Sequence, residues 1–524
     1  MNPSSFLRSL RGWRAGLASA GLGALSALAL PPFHLLPALL LSVPALLVLL
    51  DAAPGWRAAA WRGFLFGFGH HLVGLYWITE AILVESARYW WLVPFAVPGL
   101  AALMAPFIAL PCAVARWAEP GWRRVLLFAG AWTLADLLRQ FAGTGFPWNP
   151  WGSVWAVPGA AGDVMLQPVA WIGTPGLTLL TVALAALPVL GWRAASVGMV
   201  VLAAWAGFGE LRLGRHPGED TNVTVVLVQG NVAQGVKWDR AVASGIFARY
   251  LRLTHDAVQA APPGGKLVVV WPETASVYLL QSDANARDAI ADAAGRADAA
   301  LVGGITFAQG RFTSLDDPSN LPRNSLVALR HGGEIGAVYD KWHLVPFGEY
   351  APGWVPFSVK IVPGNLGFGA GPQTLVLPPL PPFGAMICYE AIFPGQVANE
   401  AERPAWLVNI TNDAWFGNST GPRQHLAAVR MRAVEEGLPV MRAANTGISA
   451  GYDAVGREKG RLPLDVAGTL TLALPVAVPA TPFSRWGLVV PGLLALMTCA
   501  LGLGYSRKRP LHLVTSSQLW GKVQ

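Results

Sequence analysis

Leu267-Val268-Val269-Val270-Trp271-Pro272-Glu273-Thr274-Ala275 is an apolar run that ends on a proline and a carboxylate. An unbroken apolar run this short reads as a strand buried on both faces, and proline, which has no N–H to give, marks where its ladder stops. Outward from it, β-branched runs alternate with alanine-rich amphipathic stretches. Strands are expected over Val223–Gln229, Leu267–Trp271, Ala300–Ile305, Ser325–Leu329, Met386–Cys388 and Trp406–Ile410, and helices over Arg240–Gln259, Ala284–Ala297 and Arg423–Glu436. That alternation predicts an α/β domain over 220–482, long enough for one large core. It contains neither a phosphate-cradling nor a dinucleotide glycine loop.

The rest of the chain is different. Of 524 residues 53% are hydrophobic and only 13% charged, whereas soluble domains carry nearer a quarter charged. Apolar runs near 15–31, 35–50, 59–79, 91–115, 124–139, 167–191 and 195–211 predict about seven membrane spans before the α/β domain, and 486–504 one after it. A secretory signal competes for residues 1–31, but no clear small-residue cleavage site follows it. Three regions result: a membrane domain over 1–219, the α/β domain over 220–482, and a final span with its tail over 483–524.

A formal charge of +8 admits nucleic acid as a partner, but the basic residues sit beside apolar runs. Arg8, Arg11 and Arg14 precede the first span and Arg57 separates the second and third. Arg116, Arg123 and Arg124 join the fourth and fifth, Arg193 joins the sixth and seventh, and Arg507, Lys508 and Arg509 follow the last. With about eight spans all these loops fall on one side, which the positive-inside rule makes the cytoplasm. The α/β domain is then extracytoplasmic, and nucleic acid is not expected as a partner.

Three segments of that domain could carry chemistry. Glu273 ends the opening strand; a carboxylate there is a general base or a plain helix cap. Lys341, in Tyr339-Asp340-Lys341-Trp342-His343, lies among aromatics, either as a desolvated cation or snorkelling over its neighbours. Cys388, in Ala385-Met386-Ile387-Cys388-Tyr389-Glu390, is delivered by an apolar strand to a turn. Cys112 and Cys499 fall in apolar runs, so no disulfide framework is expected and Cys388 is the sole thiol of the polar region. A thiol needs a base or a nearby cation to attack at neutral pH, and Glu273 and Lys341 could supply both.

Glutamate at the end of one strand, lysine in a later loop and cysteine after another strand, in that chain order, resemble the nitrilase superfamily. The flanking spans narrow the resemblance to the apolipoprotein N-acyltransferase family. It rests on W-P-E-T-A at 271–275, K-W-H-L-V-P-F-G-E-Y at 341–350, C-Y-E at 388–390, N-D-A-W-F-G at 412–417 and R-A-A-N-T-G at 442–447. Q-G-N at 229–231 with Lys237-Trp238-Asp239 opens the domain in the family's manner. In the membrane part Asp136, Arg139 and Gly145-Phe146-Pro147-Trp148 also match, although the family more often has glutamate at the first of these.

The resemblance implies an αββα sandwich joined to a multi-span α-helical bundle in the bacterial inner membrane, with the sandwich periplasmic and both termini cytoplasmic. It implies ping-pong acyl transfer, with Glu273 as base, Lys341 as oxyanion stabiliser and Cys388 as nucleophile. The donor would be a phospholipid and the acceptor the N-terminal amine of a diacylglyceryl-modified lipoprotein, with no metal, no cofactor and no oligomer required. Glu349, Tyr389 and Glu390 are expected to support the site, and Trp238, Trp415, Asn412 and Arg139 are candidates for substrate contact. The plain readings are salt bridges for the acids, interface anchors for the tryptophans, and an Asp136–Arg139 pair inside the bundle. His343 and His425 have no second ligand at a suitable helical spacing and are expected to be structural. The rival enzyme is a membrane-tethered amidase or nitrilase passing its acyl group to water. A transporter is disfavoured by spans with few ionisable residues.

Overall fold

The two six-stranded sheets of the α/β region follow from strands such as Lys266–Val270, whose alternate side chains fill two different cores. Leu267 and Val269 face one layer and Val268 and Val270 the other. The computed structural model describes residues 3–84, 86–236, 240–313, 317, 319–353 and 365–504. The first sheet runs through β1 (Asp220–Gln229), β2 (Lys266–Val270), β3 (Ala299–Phe307), β4 (Pro322–Arg330) and β5 (Ile335–Asp340). The second uses β6 (Thr374–Leu375), β7 (Phe383–Ile387), β8 (Trp406–Thr411), β9 (Val440–Ala444), β10 (Ser449–Tyr452) and β11 (Glu458–Leu462). β12 (Gly468–Pro475) returns to close the first. Their orders are β12-β1-β2-β3-β4-β5 and β11-β10-β9-β8-β7-β6. In each sheet three central strands are parallel, β1, β2 and β3 in one and β7, β8 and β9 in the other.

Between the sheets lie Val225, Leu227, Val268, Val270 and Leu301 against Ala385, Ile387, Trp406, Val408 and Ile410. The helices Arg240–Ala260 and Ala284–Ala294 cover the outer face of the first sheet through Phe247, Tyr250, Val258 and Ile290. The helix Gly421–Glu436 covers the second through Val429 and Ala433. The layering is α-β-β-α. Six strands escaped the sequence reading: β5, β6 and β9 through β12. Most are short, and β11 and β12 have half-wet patterns whose identity is set by pairing with neighbours. Cys388, expected to end a strand, lies one residue past it.

Helices stand at all eight positions expected to cross a membrane: α1 (Gly12–Ser26), α2 (Pro37–Asp51), α3 (Trp56–Gly74), α4 and α5 (Val93–Met104 and Pro106–Val114), α6 (Trp122–Phe141), α7 (Val169–Ala186), α8 (Trp192–Arg215) and, after the sandwich, Val489–Leu503. Among the described residues, three stretches are long and apolar enough to span by length and composition: Trp90–Trp117, Val169–Leu190 and Trp192–Arg215. Pro37–Asp51 and Val489–Leu503 are apolar but only 15 residues each. α3 and α6 fall short because they carry Arg57, Arg62, His70 and His71, and Arg123, Arg124, Asp136 and Arg139 respectively.

Small residues set how closely the helices approach. A Cβ on Gly23 would collide with the Phe66 carbonyl of α3, and one on Gly69 with the Ala20 carbonyl of α1. Gly69→Val should therefore force α1 and α3 apart and lower the thermal midpoint of the detergent-solubilised protein, by the equivalent of about 1–3 kcal/mol for overpacking. An unchanged midpoint would contradict this crossing.

The sandwich meets the bundle through Gly421–Glu436, buried on both sides. Met431 and Val434 join Val169, Leu177 and Trp205 of the bundle. Gln424 gathers the junction: its Oε1 accepts from Trp77 Nε1 at 3.1 Å, Trp148 Nε1 at 2.9 Å and Asn149 Nδ2 at 3.0 Å.

Candidate active site

Strand ends place the reactive groups. Glu273 follows β2 across the Trp271-Pro272 exit, Lys341 follows β5 directly, Cys388 follows β7, Asn412 follows β8 and Asn445 follows β9. The carboxyl ends of parallel strands are where α/β sheets leave a crevice.

Glu273 and Lys341 are buried together. Glu273 Oε1 accepts from Lys341 Nζ at 3.3 Å and from Asn324 Nδ2 at 2.6 Å, and its Oε2 accepts from the Asn412 N–H at 2.7 Å. Lys341 Nζ also lies 3.0 and 2.9 Å from the two oxygens of Glu349. Glu349 is itself fixed by Asn324 Nδ2 and by the Val345 N–H, each at 2.8 Å. One ammonium thus bridges two carboxylates, and Asn324 donates to both. Asn412 is clamped in turn by Gln234 at 2.6 Å and Asn445 at 2.9 Å.

Cys388 opens a tight turn, Cys388–Ile392, with φ +50°. That left-handed conformation is rare for a residue with a Cβ and is held only where neighbours over-determine it. Glu390 supplies much of the hold. Its Oε2 accepts from the Ile387 N–H at 2.6 Å and Tyr339 Oη at 3.0 Å, and its Oε1 from the N–H groups of Trp342 at 2.7 Å and His343 at 3.3 Å. One carboxylate therefore ties the cysteine turn to the lysine loop. On the other side His425 Nε2 lies 2.9 Å from the Cys388 carbonyl, and Nδ1 lies 2.9 Å from Asp413 Oδ1. A carbonyl only accepts, so Nε2 carries a proton and donates it.

The electrostatics favour a neutral thiol beside a charged pair. Burial pushes the Cys388 thiol well up, the Glu273 carboxylate adds to that, and Lys341 opposes both without overcoming them. Burial also works against the Lys341 ammonium, but the carboxylates of Glu349 and Glu273 outweigh it and hold the lysine above its ordinary value. Glu390 is pushed up to about 7 by burial, against the pull of the Ile387 and Trp342 N–H groups. Asp413 goes the other way, to about 2, because Arg442 and His425 override its burial.

The remaining expected residues divide. Tyr389 Oη donates to the Gly145 carbonyl at 2.8 Å and its ring stacks on Phe146, so the residue after the cysteine grips the bundle. Arg139 pairs with Asp136 at 3.1 Å inside the bundle, lining a cavity with Ser153 and Arg432, and contacts none of the three reactive groups. Trp415 is half-buried, and the aromatic that meets the bundle is its neighbour Phe416, 4.6 Å from Trp77. Trp238 lies outside the described residues. His343 is a packed side chain, stacked on Phe393 at 3.8 Å with Nε2 2.7 Å from Gln396. Asn324 escaped the sequence reading, because a single asparagine near the start of a strand carries no spacing signal, and Asn445 belongs to the R-A-A-N-T-G match at 442–447, which assigns it no role. His425 was read as structural, and it is, but its partner is the cysteine's own carbonyl.

Known proteins show the same organisation. The carbon-nitrogen hydrolase family model matches residues 225–478, and the apolipoprotein N-acyltransferase N-terminal domain matches residues 22–187. The apolipoprotein N-acyltransferase of Rhodopseudomonas palustris is 39% identical, over 95% of this chain and 96% of its own. That of Bradyrhizobium diazoefficiens is 39% identical, over 94% and 95% respectively. Among solved structures, Saccharomyces cerevisiae Nit3, of branch 10 of the nitrilase superfamily, aligns with a TM-score of 0.34 at 16% identity, covering 48% of this chain and 90% of its own. With a cysteine, glutamate and lysine gathered at the strand ends and relatives matching almost end to end, the chain belongs to the apolipoprotein N-acyltransferase family.

Proposed function

We propose that this chain moves an acyl chain from a phospholipid, through a thioester on Cys388, to the N-terminal amine of diacylglyceryl-cysteine in a lipoprotein. The observation that carries the reading is the buried Glu273–Lys341 pair beside a single thiol on a strained turn. Glu273 takes the Cys388 proton as the sulfur attacks the ester carbonyl, and the Lys341 ammonium faces the oxyanion that forms. The carbon–oxygen bond to glycerol then breaks, the Glu273 proton passes to the leaving oxygen, and lysophospholipid departs. In the second half the acceptor amine attacks the thioester, Glu273 takes the amine's proton, the carbon–sulfur bond breaks and the proton returns to sulfur. A thioester lies between ester and amide, so one difficult transfer becomes two easier ones.

The same proposal assigns residues 1–219 to a membrane domain, 220–482 to a periplasmic catalytic domain and 483–524 to a last span and tail. About eight helices would cross the inner membrane with both termini cytoplasmic. Glu349, Asn324, Asn412 and Glu390 position the reacting groups, and one chain suffices. Support comes from the side on which the basic loops fall and from the junction at Gln424, which sets the reactive turn against the membrane part.

Incubating the protein with a defined phospholipid and no acceptor should add one acyl mass, removed by hydroxylamine and mapping to the Cys388 peptide. A diacylglyceryl-cysteine peptide should then discharge it as amide. Absence of an adduct from active protein would overturn the ping-pong reading, and discharge to fatty acid alone would favour a hydrolase.

A further inference from the structure

One tripeptide occurs four times in this chain: Gly12-Trp13-Arg14, Gly55-Trp56-Arg57, Gly121-Trp122-Arg123 and Gly191-Trp192-Arg193. Each opens a helix, respectively α1, α3, α6 and α8. All four tryptophans are exposed, by 71%, 55%, 56% and 74%. In each pair the guanidinium lies over the indole ring, 5.6, 5.3, 5.4 and 5.5 Å from its centroid. That is within cation–π range.

The packing puts all four at one end of the bundle. α1 and α3 run parallel, since Gly16 faces Leu65 while Gly23 faces Phe66 and His70 further along. α5 runs antiparallel to α3, Gly63 against Cys112 and Gly67 against Ala105, and α6 turns back from α5 to bring Trp132 beside Phe66. The end of α7, Ala185 and Ala186, shares a cluster with Leu50, Ala59 and Val125, and α8 begins just after it. The opposite ends of α3 and α6 touch the sandwich, at Gly74 with Gln424 and at Gly145 with Tyr389. The four pairs therefore lie remote from the catalytic face.

Their charge is unbalanced. None of the four arginines makes an ion pair among the described residues; of the carboxylates at this end, Asp51 is taken by Arg124, and Glu119, exposed in the loop before α6, leaves the four arginines in excess. Next to the tryptophans the helices continue apolar and uncovered: Leu17 is 63% exposed, Val200 68% and Met199 66%. An apolar flank that ends in an exposed arginine and tryptophan on the helix's first turn is the make-up of a span where it leaves a bilayer through an anionic headgroup layer.

We propose that this end of the bundle is a docking surface for anionic phospholipid headgroups, with the four Trp-Arg pairs as its contacts. The indoles sit at the acyl–headgroup boundary, and each guanidinium, held over its ring, offers its free edge to a phosphate. The surface fixes the depth of the bundle in the leaflet opposite the catalytic domain. It rests on the reading that these helices cross a membrane.

The test compares the full-length protein with its Arg14→Gln, Arg57→Gln, Arg123→Gln, Arg193→Gln variant, both extracted from the membrane fraction. Phosphatidylglycerol bound through delipidation is counted by native mass spectrometry, with phosphatidylcholine as reference. The unmodified protein should retain phosphatidylglycerol preferentially, less so as salt is raised, and the variant should lose the preference, by about fivefold for each arginine near the surface. Cys388 acylation in detergent should persist in the variant, since no substituted residue touches the catalytic groups. Equal, salt-insensitive retention in both proteins would overturn the proposal, and a salt-insensitive preference in the unmodified protein alone does so even where the variant fails to fold. Recovery of the unmodified protein outside the membrane fraction would instead overturn the spanning reading on which it rests.

Discussion

Lys341→Met should abolish measurable acylation of Cys388 and destabilise the sandwich at the same time. The ammonium has two jobs that geometry does not separate. In the proposed reaction it faces the position where the oxyanion forms, and removing one such donor typically costs about 10²–10³ in rate. It is also, among the described residues, the one cation between Glu273 and Glu349, at 3.3 Å and 2.9 Å, in a buried setting. Taking it away leaves two carboxylates linked through Asn324 with nothing positive between them, a loss of about 3–5 kcal/mol for breaking a buried pair. Lys341→Met/Glu349→Gln should recover part of the stability, because one of the stranded charges is gone, and none of the activity. Chemical denaturation and the acylation rate, measured on the same preparations, check both halves. A double variant that regains acylation would show that Lys341 serves only to neutralise Glu349.

How much of this was readable beforehand depended on the kind of signal. Glu273, Lys341 and Cys388 were visible because each sits in a string whose neighbours are unusual: a proline before a carboxylate, a lysine among aromatics, a lone thiol on an apolar strand. The central strands were visible for a similar reason, since Leu267–Val270 admits little else. The edge strands were not, because β11 and β12 are half-wet and take their identity from the strands they pair with. Asn324 was invisible: its role exists only because β4 lays it between two acids that lie 51 and 25 residues away in the chain. His425 shows a third case. Spacing made it a structural residue, but only the fold reveals that its ring reaches the carbonyl of Cys388. The span count was legible as helix positions and less so as membrane crossings, because α3 and α6 carry arginines and histidines that pair and pack within the bundle.

Glu390→Gln should slow acylation and remove its dependence on pH near neutrality. As an anion Glu390 accepts from three backbone N–H groups and Tyr339 Oη, tying the Cys388 turn to the Lys341 loop. Protonation turns one of its oxygens into a donor facing N–H groups, so the brace loosens as pH falls below about 7, where burial has placed its pKa. Acylation should therefore rise through that value in the unmodified enzyme. Stability moves in the opposite sense. A carboxyl whose folded pKa lies above its unfolded value of 4.5 stabilises the native state below that value and loses the contribution as pH rises to about 7. Glu436, pushed up to about 8 by burial and by Glu435, adds a slope of the same sign that survives the substitution. Glutamine can satisfy the donors on one oxygen only, leaving the Ile387 N–H unpaired at a cost of about 1–3 kcal/mol, and it cannot titrate. The variant should show a lower, flat rate between pH 5 and 8 and a shallower decline of stability across the same range. A variant that keeps the wild-type rise in rate through neutrality would place the titrating group elsewhere, and one that acylates at the full rate would show that the cysteine turn holds its shape without the brace.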